Sequence, residues 1–408
     1  MPQSNKWRRE NDIISTKGVS EVATDVIQKG VAVCACLLLP LICATSYGAC
    51  TVVDLFAGVG GLSYGLAQHP GFDVVLANEI DEDIAKAYEL NHTNVVMLTC
   101  GIEELTGPLL ERSLNGRVVD LIVGGPPCQS YSTAGKRQMD ARANLFKEYK
   151  RVLVLLRPKA FIFENVRGLL SMEDGQLLKR IKEEFEEVGY DVKYKLLDAA
   201  NYGVPQHRER VIIVGMRGKN NFEYPAATHG AESGLLPMVT LKDALSDLPR
   251  IGPGESATAY VSPPQNWYQE LMRKDAGDVL TEYSSPKSGD RIVKIMKMLK
   301  EGEDKTDLPV DIRPKAGFAN TYGKLWWDKP SGTITRNFAT PSSARCIHPI
   351  DSRALSIREG ARLQSFPDNY QFYGSDEKKR IEIGNAVPPI LAKALAEPIL
   401  KALTSMAP

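Results

Sequence analysis

A cysteine in an unusually stiff segment is the first candidate for covalent chemistry in this sequence. Cys128 lies in the run Gly-Gly-Pro-Pro-Cys-Gln, directly after the apolar stretch 119–123. The two prolines restrict the backbone and the two glycines permit close approach, so the segment presents the thiol from a rigid turn. A buried, inert cysteine is the simpler interpretation. The number of stiffening residues favours a nucleophile, whose thiolate the site must generate.

One carboxylic acid and two arginines are the polar candidates that accompany this cysteine. Glu164 ends an apolar run that is typical of a buried strand. Arg208 and Arg210 alternate along a Gln-x-Arg-x-Arg segment. Residues i and i+2 of an extended chain lie on the same face, so both arginines can point to one site. Each candidate also has a purely structural explanation. Glu164 could simply be a carboxylate at the end of a strand, and the two arginines could form a surface ion pair with Glu209.

A glycine-rich turn and a carboxylate downstream of it indicate a nucleoside-binding site. The segment 54–62 reads DLFAGVGGL, follows a predicted strand and opens a predicted helix. Glu79 ends the next strand, about 20 residues further on, where a carboxylate suits hydrogen bonding to ribose hydroxyls. Ser63 stands where the dinucleotide fingerprint has its third glycine. The turn therefore favours an adenosine ligand without a pyrophosphate, although a merely tight turn is an alternative.

From residue 51 onward, short β-branched runs typical of strands alternate with stretches of helical periodicity, and these strands and helices carry the candidate residues. This pattern predicts a doubly wound α/β sheet whose strands are buried on both faces. Ligands bind such sheets beyond the carboxyl ends of the strands, where the candidate residues fall. We predict strands at 51–56, 72–77, 94–98, 118–123, 159–164 and 211–215, and helices at 61–68, 82–91, 144–156, 174–188, 290–299 and 388–403.

The length of 408 residues suggests two or three domains. We expect an extension of unknown role at 1–50, a catalytic and cofactor-binding domain at 51–215 plus 376–408, and a second, smaller irregular domain at 216–375. The last helix is apolar enough to pack back onto the first domain. In the segment 313–345, basic residues are interleaved with aromatic residues. This pattern is explained either by contacts with phosphate groups or by a small apolar core.

The composition excludes several classes of protein. Fifty Lys and Arg residues balance 50 Asp and Glu residues, and 43% of the residues are hydrophobic. These values exclude a disordered tail, a fibre, a polytopic membrane protein and a uniformly basic nucleic-acid coat. Seven cysteines without a Cys-x-x-Cys pair predict no disulfide framework, no metal site and a cytoplasmic location. The apolar run 31–44 is too short for a membrane span and favours a packed or loosely ordered extension over a signal peptide.

Six motifs in a fixed order resemble those of the cytosine carbon-5 DNA methyltransferases of the bacterial restriction–modification type. The resemblance covers about residues 51–400 and implies a Rossmann-like, S-adenosylmethionine-dependent methyltransferase sheet with a target-recognition domain at 216–375. Such an enzyme methylates a cytosine that it flips out of a specific double-stranded DNA sequence, and so protects host DNA. It would be a monomer, alongside a restriction endonuclease acting on the same site. The motifs are FAGVGG at 56–61, PPCQ at 126–129, ENV at 164–166, QHRER at 206–210, REGARLQSFP at 358–367 and GNAVPP at 384–389.

The resemblance also implies a role for each candidate side chain. Cys128 would attack carbon 6 of cytosine, and Glu164 would protonate N3. Arg210 would contact the cytosine carbonyl and a nearby phosphate, while Arg208 would support the pocket. The implied contacts of S-adenosylmethionine are Phe56, Gly58, Gly60, Gly61, Glu79, Ile80, Ile102, Pro127, Leu145 and Asn385.

The resemblance implies a specific role for three of these cofactor contacts. At one further position the residue type differs from the one usual in the family. Glu79 would hold the ribose, Ile80 would pack on the adenine, and Asn385 would close the methionine end. The family usually has Asp before Ile at the end of the third strand, where it binds the adenine amino group, but here Gly101 precedes Ile102. That hydrogen bond is therefore missing or supplied elsewhere.

Three other functions compete with this interpretation. A tRNA cytosine-5 methyltransferase would use the same nucleophile, and the long segment between Arg210 and Arg358 favours DNA over RNA. A non-catalytic DNA-binding relative would not need Cys128, Glu164 and Arg210 together. An NAD-dependent oxidoreductase fits the alternating pattern but leaves the Pro-Pro-Cys segment and both arginines unexplained.

Overall fold

A seven-stranded sheet forms the centre of the protein. The computed structural model describes residues 48–127, 145–315, 318 and 320–406. Cys128 and the extension at 1–47 lie outside the described residues. The sheet order is β3-β2-β1-β4-β5-β7-β6, in which β1 to β5 run parallel and β7 is antiparallel to both of its neighbours. The strands are β1 (Cys50–Leu55), β2 (Phe72–Glu79), β3 (Val96–Thr99), β4 (Leu121–Gly124), β5 (Ala160–Val166), β6 (Tyr190–Asp198) and β7 (Glu209–Arg217).

Helices alternate with the strands in the first half of the chain and are separated by irregular segments in the second half. Short 3₁₀ turns occur at Ile102–Glu104, Arg167–Leu170, Met172–Gly175, Ala199–Tyr202 and Lys305–Asp307. A small parallel pair, β8 (Gly323–Lys324) and β9 (Arg345–Ile347), lies in the irregular part. The α-helices are α1 (Gly61–Ala67), α2 (Glu82–Asn91), α3 (Gly107–Leu114), α4 (Leu145–Leu156), α5 (Gln176–Glu187), α6 (Leu241–Leu245), α7 (Trp267–Arg273), α8 (Asp290–Met298), α9 (Ile357–Leu363), α10 (Asp376–Asn385) and α11 (Pro389–Thr404).

The α/β sheet predicted from the sequence is confirmed, although β6 was missed and the bounds of the other strands differ from the predicted ones by up to three residues. β6 was not predicted, because its sequence YDVKYKLLD mixes charged and apolar residues and the strand lies at the sheet edge with several exposed positions. β7 is longer than the predicted strand 211–215, since antiparallel partners on both sides extend it to Glu209. Cross-strand pairing, which composition does not reveal, sets these ends, and it brings Arg210 into the sheet opposite Val166.

Two apolar clusters cover the two faces of the sheet. Successive residues of β1 point to opposite faces: Val52 belongs to one cluster and Val53 to the other. On the first face, α11 packs beside α1 and buries Leu391 and Leu395 completely, which confirms the expectation for the last helix. Burial of a leucine side chain contributes about 1.5–3 kcal/mol, so this helix ties the end of the chain firmly to the sheet.

The irregular segment 216–375 contributes to a third apolar cluster, which also includes Val59 from the glycine turn. Within 313–345, Tyr322, Leu325 and Phe338 are buried, which favours the small-core explanation for these residues. Two of the basic residues there bind main-chain carbonyls: Arg345 holds the 302–303 turn, and Lys324 donates to the carbonyl of Leu299. Phe318, Lys329 and Arg336 remain exposed.

Candidate active site

A cavity of about 240 Å³ opens at the carboxyl ends of the parallel strands, between the glycine turn, the end of β2 and α10. Its position agrees with the general rule for open α/β sheets. Glu164 lies at the cavity, together with several of the predicted cofactor residues. Gly60, Ile102 and Leu145 are not among the lining residues. The predicted cofactor residues that line it are Phe56, Gly58, Gly61, Glu79, Ile80, Pro127 and Asn385.

The glycine turn needs its glycines for two different reasons. Gly58 and Gly60 have φ angles of +56° and +90°, a conformation that other residues rarely adopt. A Cβ at Gly58 would meet nothing within 4 Å, so this part of the turn stays open to a ligand. A Cβ at Gly61 would collide with the carbonyl of Val387, and one at Gly60 with the ring of Tyr88. Gly60 therefore serves the packing of the turn and does not contact the cavity.

Glu79 is held firmly at the end of β2. Its two carboxylate oxygens accept hydrogen bonds from the main-chain N–H groups of Gly58 and Asp81, each at 3.0 Å. Burial raises the pKa of this carboxyl group, and the main-chain donors oppose the rise. Asp81 in turn binds Nζ of Lys378 at 2.6 Å, which joins the loop after β2 to α10. The arrangement presents a fixed carboxylate at the position expected for a ribose ligand.

Two further carboxyl groups at the cavity each have one oxygen without a hydrogen-bond partner in the described part of the chain. These oxygens are Oδ2 of Asp54 and Oε1 of Glu382, although the residues are only 1% and 2% exposed. Burial raises the pKa of Asp54 to about 7 and that of Glu382 to about 8. None of the described residues that line the cavity is basic. Such a site fits a nucleoside with a positively charged group, as S-adenosylmethionine is, and disfavours a pyrophosphate.

The sequence interpretation assigned no role to either of these carboxyl groups. Asp54 could have been found, because it is a charged residue inside an otherwise apolar strand. Glu382 carries no such signal: α10 is rich in charged residues, and only the packing of the helix decides which of them face inward.

Glu164 and Arg210 form an ion pair at the edge of the cavity. Nε of Arg210 lies 2.7 Å from Oε1 of Glu164, and both side chains are 11% exposed. Nη1 of Arg210 also donates to the carbonyl of Glu209 at 2.8 Å. A Cβ at Gly125 would lie 2.7 Å from Oε2 of Glu164, so a larger residue there would displace the carboxylate. The structure thus brings Glu164 and Arg210 together, as their predicted roles require.

Arg208 lies deeper and connects separate parts of the chain. Its guanidinium group donates to the carbonyls of Ile334 at 2.8 Å and Gly384 at 2.9 Å, and the residue is 1% exposed. Burial lowers its pKa well below the ordinary value, and the positive charge of Arg210 adds to the effect. Arg208 does not line the cavity. Its contacts are those of a positioning residue, since Gly384 directly precedes Asn385.

The segment that leads to Cys128 is anchored to β5. Nδ2 of Asn165 donates to the carbonyl of Pro126 at 3.1 Å, and its Oδ1 accepts from the N–H of Val166 at 2.9 Å. Pro127 lines the cavity. Asn165 therefore fixes the last described residues before Cys128 against the strand that carries Glu164. Cys128 itself lies outside the described residues.

A glutamate occupies the space next to the position where the sequence departs from the family. A Cβ at Gly101 would lie 2.7 Å from Oε2 of Glu103, so this carboxylate folds back over the glycine. The N–H of Gly101 donates to Glu104 at 3.0 Å. Ile102 is 3% exposed and packs in the core behind the cavity.

Some of the basic residues after Cys128 have structural partners. Lys150 pairs with Glu184 at 2.5 Å and Glu187 at 2.8 Å, which links α4 to α5. Arg151 donates to the carbonyls of Ile102 and Leu105 at the end of β3. The part of the chain that the structure describes contains no group of His, Cys, Asp and Glu residues able to hold a metal ion. It also contains no helix with the length and apolar character that crossing a bilayer requires.

The chain is similar in sequence and in fold to known methyltransferases. The chain is 38% identical to the type II methyltransferase M.DdeI of Desulfomicrobium norvegicum, over 85% of this chain and 88% of the relative. It is 34% identical to M1.HphI of Haemophilus parahaemolyticus, over 87% and 88%. A prophage-encoded E. coli protein, assigned as a DNA modification methyltransferase, shares the fold with a TM-score of 0.72 at 24% identity, over 88% of this chain and 100% of that one. The family model for C-5 cytosine-specific DNA methylase matches residues 50–401, so the chain belongs to that family.

Proposed function

We propose that this protein methylates carbon 5 of a cytosine that it flips out of a specific double-stranded DNA sequence. The observation that carries the proposal is the Glu164–Arg210 pair at a cavity of adenosine-binding character, next to the anchored segment that leads to Cys128. A base in duplex DNA must leave the stack to reach such a site, at a cost of a few kcal/mol. The relatives support a role in modifying DNA that a restriction endonuclease would otherwise cut.

The chain's own residues activate the cytosine, because its carbon 5 is a poor nucleophile. The thiolate of Cys128 adds to carbon 6, and the electrons of the 5,6 double bond move to carbon 5 and the ring. Glu164 gives a proton to N3 as negative charge develops there. After carbon 5 has gained the methyl group, its proton passes to water and the thiolate leaves, which restores the 5,6 double bond. N3 returns its proton to Glu164, so the product is neutral 5-methylcytosine and the acid is regenerated.

Arg210 orients Glu164 in this scheme and places a positive charge beside the ring carbonyl. Its Nε is committed to the carboxylate, so the pair acts as one unit on the flipped base. Arg208 supports the unit from behind through the carbonyls of Ile334 and Gly384. The pocket for the base is therefore tied to α10, which also forms the wall of the cofactor cavity.

S-adenosylmethionine fits the cavity and, when bound, supplies the methyl group. Glu79 would hold the ribose, Ile80 would pack on the adenine and Asn385 would close the methionine end. The carboxylate of Glu103 would accept the adenine amino hydrogen bond, because it occupies the space beside Gly101. Ile102 and Leu145 would support this site through packing.

The segment 216–375 would read the DNA sequence, with the catalytic and cofactor-binding parts at 51–215 and 376–408. Its exposed Lys329 and Arg336 are candidates for phosphate contacts, since the neighbouring aromatic residues form a core beneath them. The enzyme would act as a monomer in the cytoplasm, alongside an endonuclease that recognises the same site.

Methyl transfer from tritiated S-adenosylmethionine to duplex DNA and, separately, to tRNA tests the proposal. We expect labelled 5-methylcytosine in DNA and none with Cys128→Ser. DNA that contains 5-fluorocytosine should give a stable covalent adduct through Cys128, since fluorine blocks the loss of the C5 substituent. Label in tRNA alone would replace the proposal with the RNA methyltransferase alternative.

A further inference from the structure

Helix α10 forms part of the wall of the cofactor cavity, and it carries a buried acid, Glu382, whose surroundings favour binding of a cation. Glu382 and Asn385 lie three residues apart on this helix and both line the cavity. Oε2 of Glu382 accepts a hydrogen bond from the N–H of Tyr373 at 3.3 Å. Oε1 has no partner in the described part of the chain, and the residue is 2% exposed. A buried carboxyl oxygen without a partner is costly and demands an explanation.

The charged groups around Glu382 do not neutralise it. Lys378 and Lys379, on the same helix, are committed to other acids: Lys378 binds Asp81 at 2.6 Å, and Lys379 binds Glu282 at 2.8 Å. Asp83 at the start of α2 and the hydroxyl of Tyr370 also face Glu382. Asp83 adds negative charge and the Tyr370 hydroxyl is neutral. An ionised Glu382 would therefore lack a positively charged partner of its own among the described residues.

Asp54, which lines the same cavity, also has a buried carboxyl oxygen without a partner in the described residues. This oxygen is Oδ2, and the exposure of the residue is 1%. The carboxylate of Glu79 lies near it and raises its pKa further. Two buried acids that line one small cavity, each with one carboxyl oxygen without a partner in the described residues, are best explained by a ligand with positive charge.

We propose that Glu382 is a specificity-determining residue that pairs with the cationic methionine end of the cofactor and releases its proton when the cofactor binds. The inference rests on the proposed function, because it takes S-adenosylmethionine as the ligand. In the free protein, burial raises the pKa of Glu382 to about 8, so the group is largely protonated at neutral pH. A bound cation favours the carboxylate, and the proton passes to the solvent.

The proposal predicts how affinity changes with pH. Because the cation prefers the ionised carboxylate, affinity for S-adenosylmethionine should rise as the pH increases toward about 8 and then level off. Asp54 contributes a similar rise centred near pH 7. Adenosine, which carries no charge, should bind equally at all these pH values.

Affinity measurements on the full chain and on Glu382→Gln test the proposal. At about pH 8.5 we expect the variant to bind S-adenosylmethionine about tenfold or more weakly than the wild type, with unchanged affinity for adenosine. Near pH 6 the difference should shrink, because the wild-type group is then also neutral. Glu377→Gln is the matched control: it removes an exposed carboxylate from the same helix and should behave as the wild type.

S-adenosylmethionine carries two positive groups, the sulfonium and the α-ammonium, and S-adenosylhomocysteine retains only the ammonium. Binding of S-adenosylhomocysteine therefore shows which of the two groups Glu382 contacts. A loss confined to S-adenosylmethionine assigns Glu382 to the sulfonium, and an equal loss for both assigns it to the ammonium. Calorimetry in buffers with different heats of ionisation should show fewer protons released by Glu382→Gln. The α-amino group of the ligand titrates near pH ~8 as well, so the difference between variants is the informative quantity.

Equal affinity and equal proton release in the wild type and Glu382→Gln would overturn the inference. In that case the cofactor assignment would stand, since the wild type would still bind S-adenosylmethionine. If the folded wild type binds no S-adenosylmethionine at any pH, the proposed function fails instead. Thermal unfolding of each variant confirms that the comparison is made between folded proteins.

Discussion

Nε of Arg210 lies 2.7 Å from Oε1 of Glu164, on two strands that run antiparallel within a largely parallel sheet. The reversal of β7 puts an arginine beside an acid near the carboxyl end of β5, a strand of the parallel part. Both side chains are nearly buried, so neither charge is well solvated without the other. The two charges therefore stabilise each other as one ion pair.

Glu164→Gln should lower kcat by about 100-fold or more, because positioned proton transfer contributes 10²–10⁴ to rates. Affinity for S-adenosylmethionine should change little, since the Glu79 end of the cavity is untouched. Initial rates of methyl transfer and a separate binding titration measure the two effects. Glu186→Gln, in an exposed ion pair with Lys182, is the matched control and should retain full activity. Full activity in Glu164→Gln would contradict the assigned role.

Arg208→Met should destabilise the protein by about 3 kcal/mol, because two buried carbonyls lose their donors. Activity and cofactor affinity should both fall, since Gly384 adjoins Asn385. Chemical denaturation followed by circular dichroism gives the free energy of unfolding. Arg217→Met, at the exposed end of the same strand, should change that energy by no more than about 0.5 kcal/mol. Equal stability of the two variants would show that Arg208 does not connect these segments.

Glu103→Ala should weaken binding of S-adenosylmethionine by about tenfold, the value of one hydrogen bond to a charged acceptor. Inosine derivatives provide the critical comparison, because inosine lacks the adenine amino group. The variant and the wild type should bind S-inosylhomocysteine equally. Glu111→Ala, exposed on α3, is the control for the loss of a carboxylate. If Glu103→Ala weakens both ligands alike, the carboxylate does not contact the amino group.

The contribution of Asp54 and Glu382 to the stability of the cofactor-free protein should fall as the pH rises. Burial raises the pKa of Asp54 from 3.8 to about 7 and that of Glu382 from 4.5 to about 8. Between the ordinary and the raised values the folded state binds more protons than the unfolded state. The stability contributed by these groups is therefore complete below about pH 4 and is lost as the pH passes through about 7 and 8.

At about pH 8.5, Glu382→Gln should be more stable than the wild type, by on the order of 2 kcal/mol, because it cannot ionise. Near pH 5 the two should be alike. Urea unfolding at both pH values provides the measurement, and Glu377→Gln should follow the wild type throughout. A wild type as stable as Glu382→Gln at the higher pH would mean that Glu382 is solvated or paired in the folded protein.

Some parts of the fold could be predicted because local sequence determines them. The buried strands are continuous apolar runs, and α2 begins where predicted because Asp81 caps it by accepting from the N–H groups of Asp83 and Ile84. Gly58 needs a positive φ that favours glycine. The edge strand β6 could not be predicted, since its residues are suitable for a strand only when β7 lies beside them.

The order of the amino acids alone is enough to identify the glycine turn, the Pro-Pro-Cys segment, Glu164 and the two arginines as candidates. These depend on backbone freedom and on motif spacing, which are properties of neighbouring residues. The pairing of Arg210 with Glu164, the hydrogen bond from Arg208 to Gly384 and the position of Glu382 at the cavity become visible once the chain is folded. Those relationships join residues far apart in the chain, and they depend on how helices and strands pack, which no local pattern encodes.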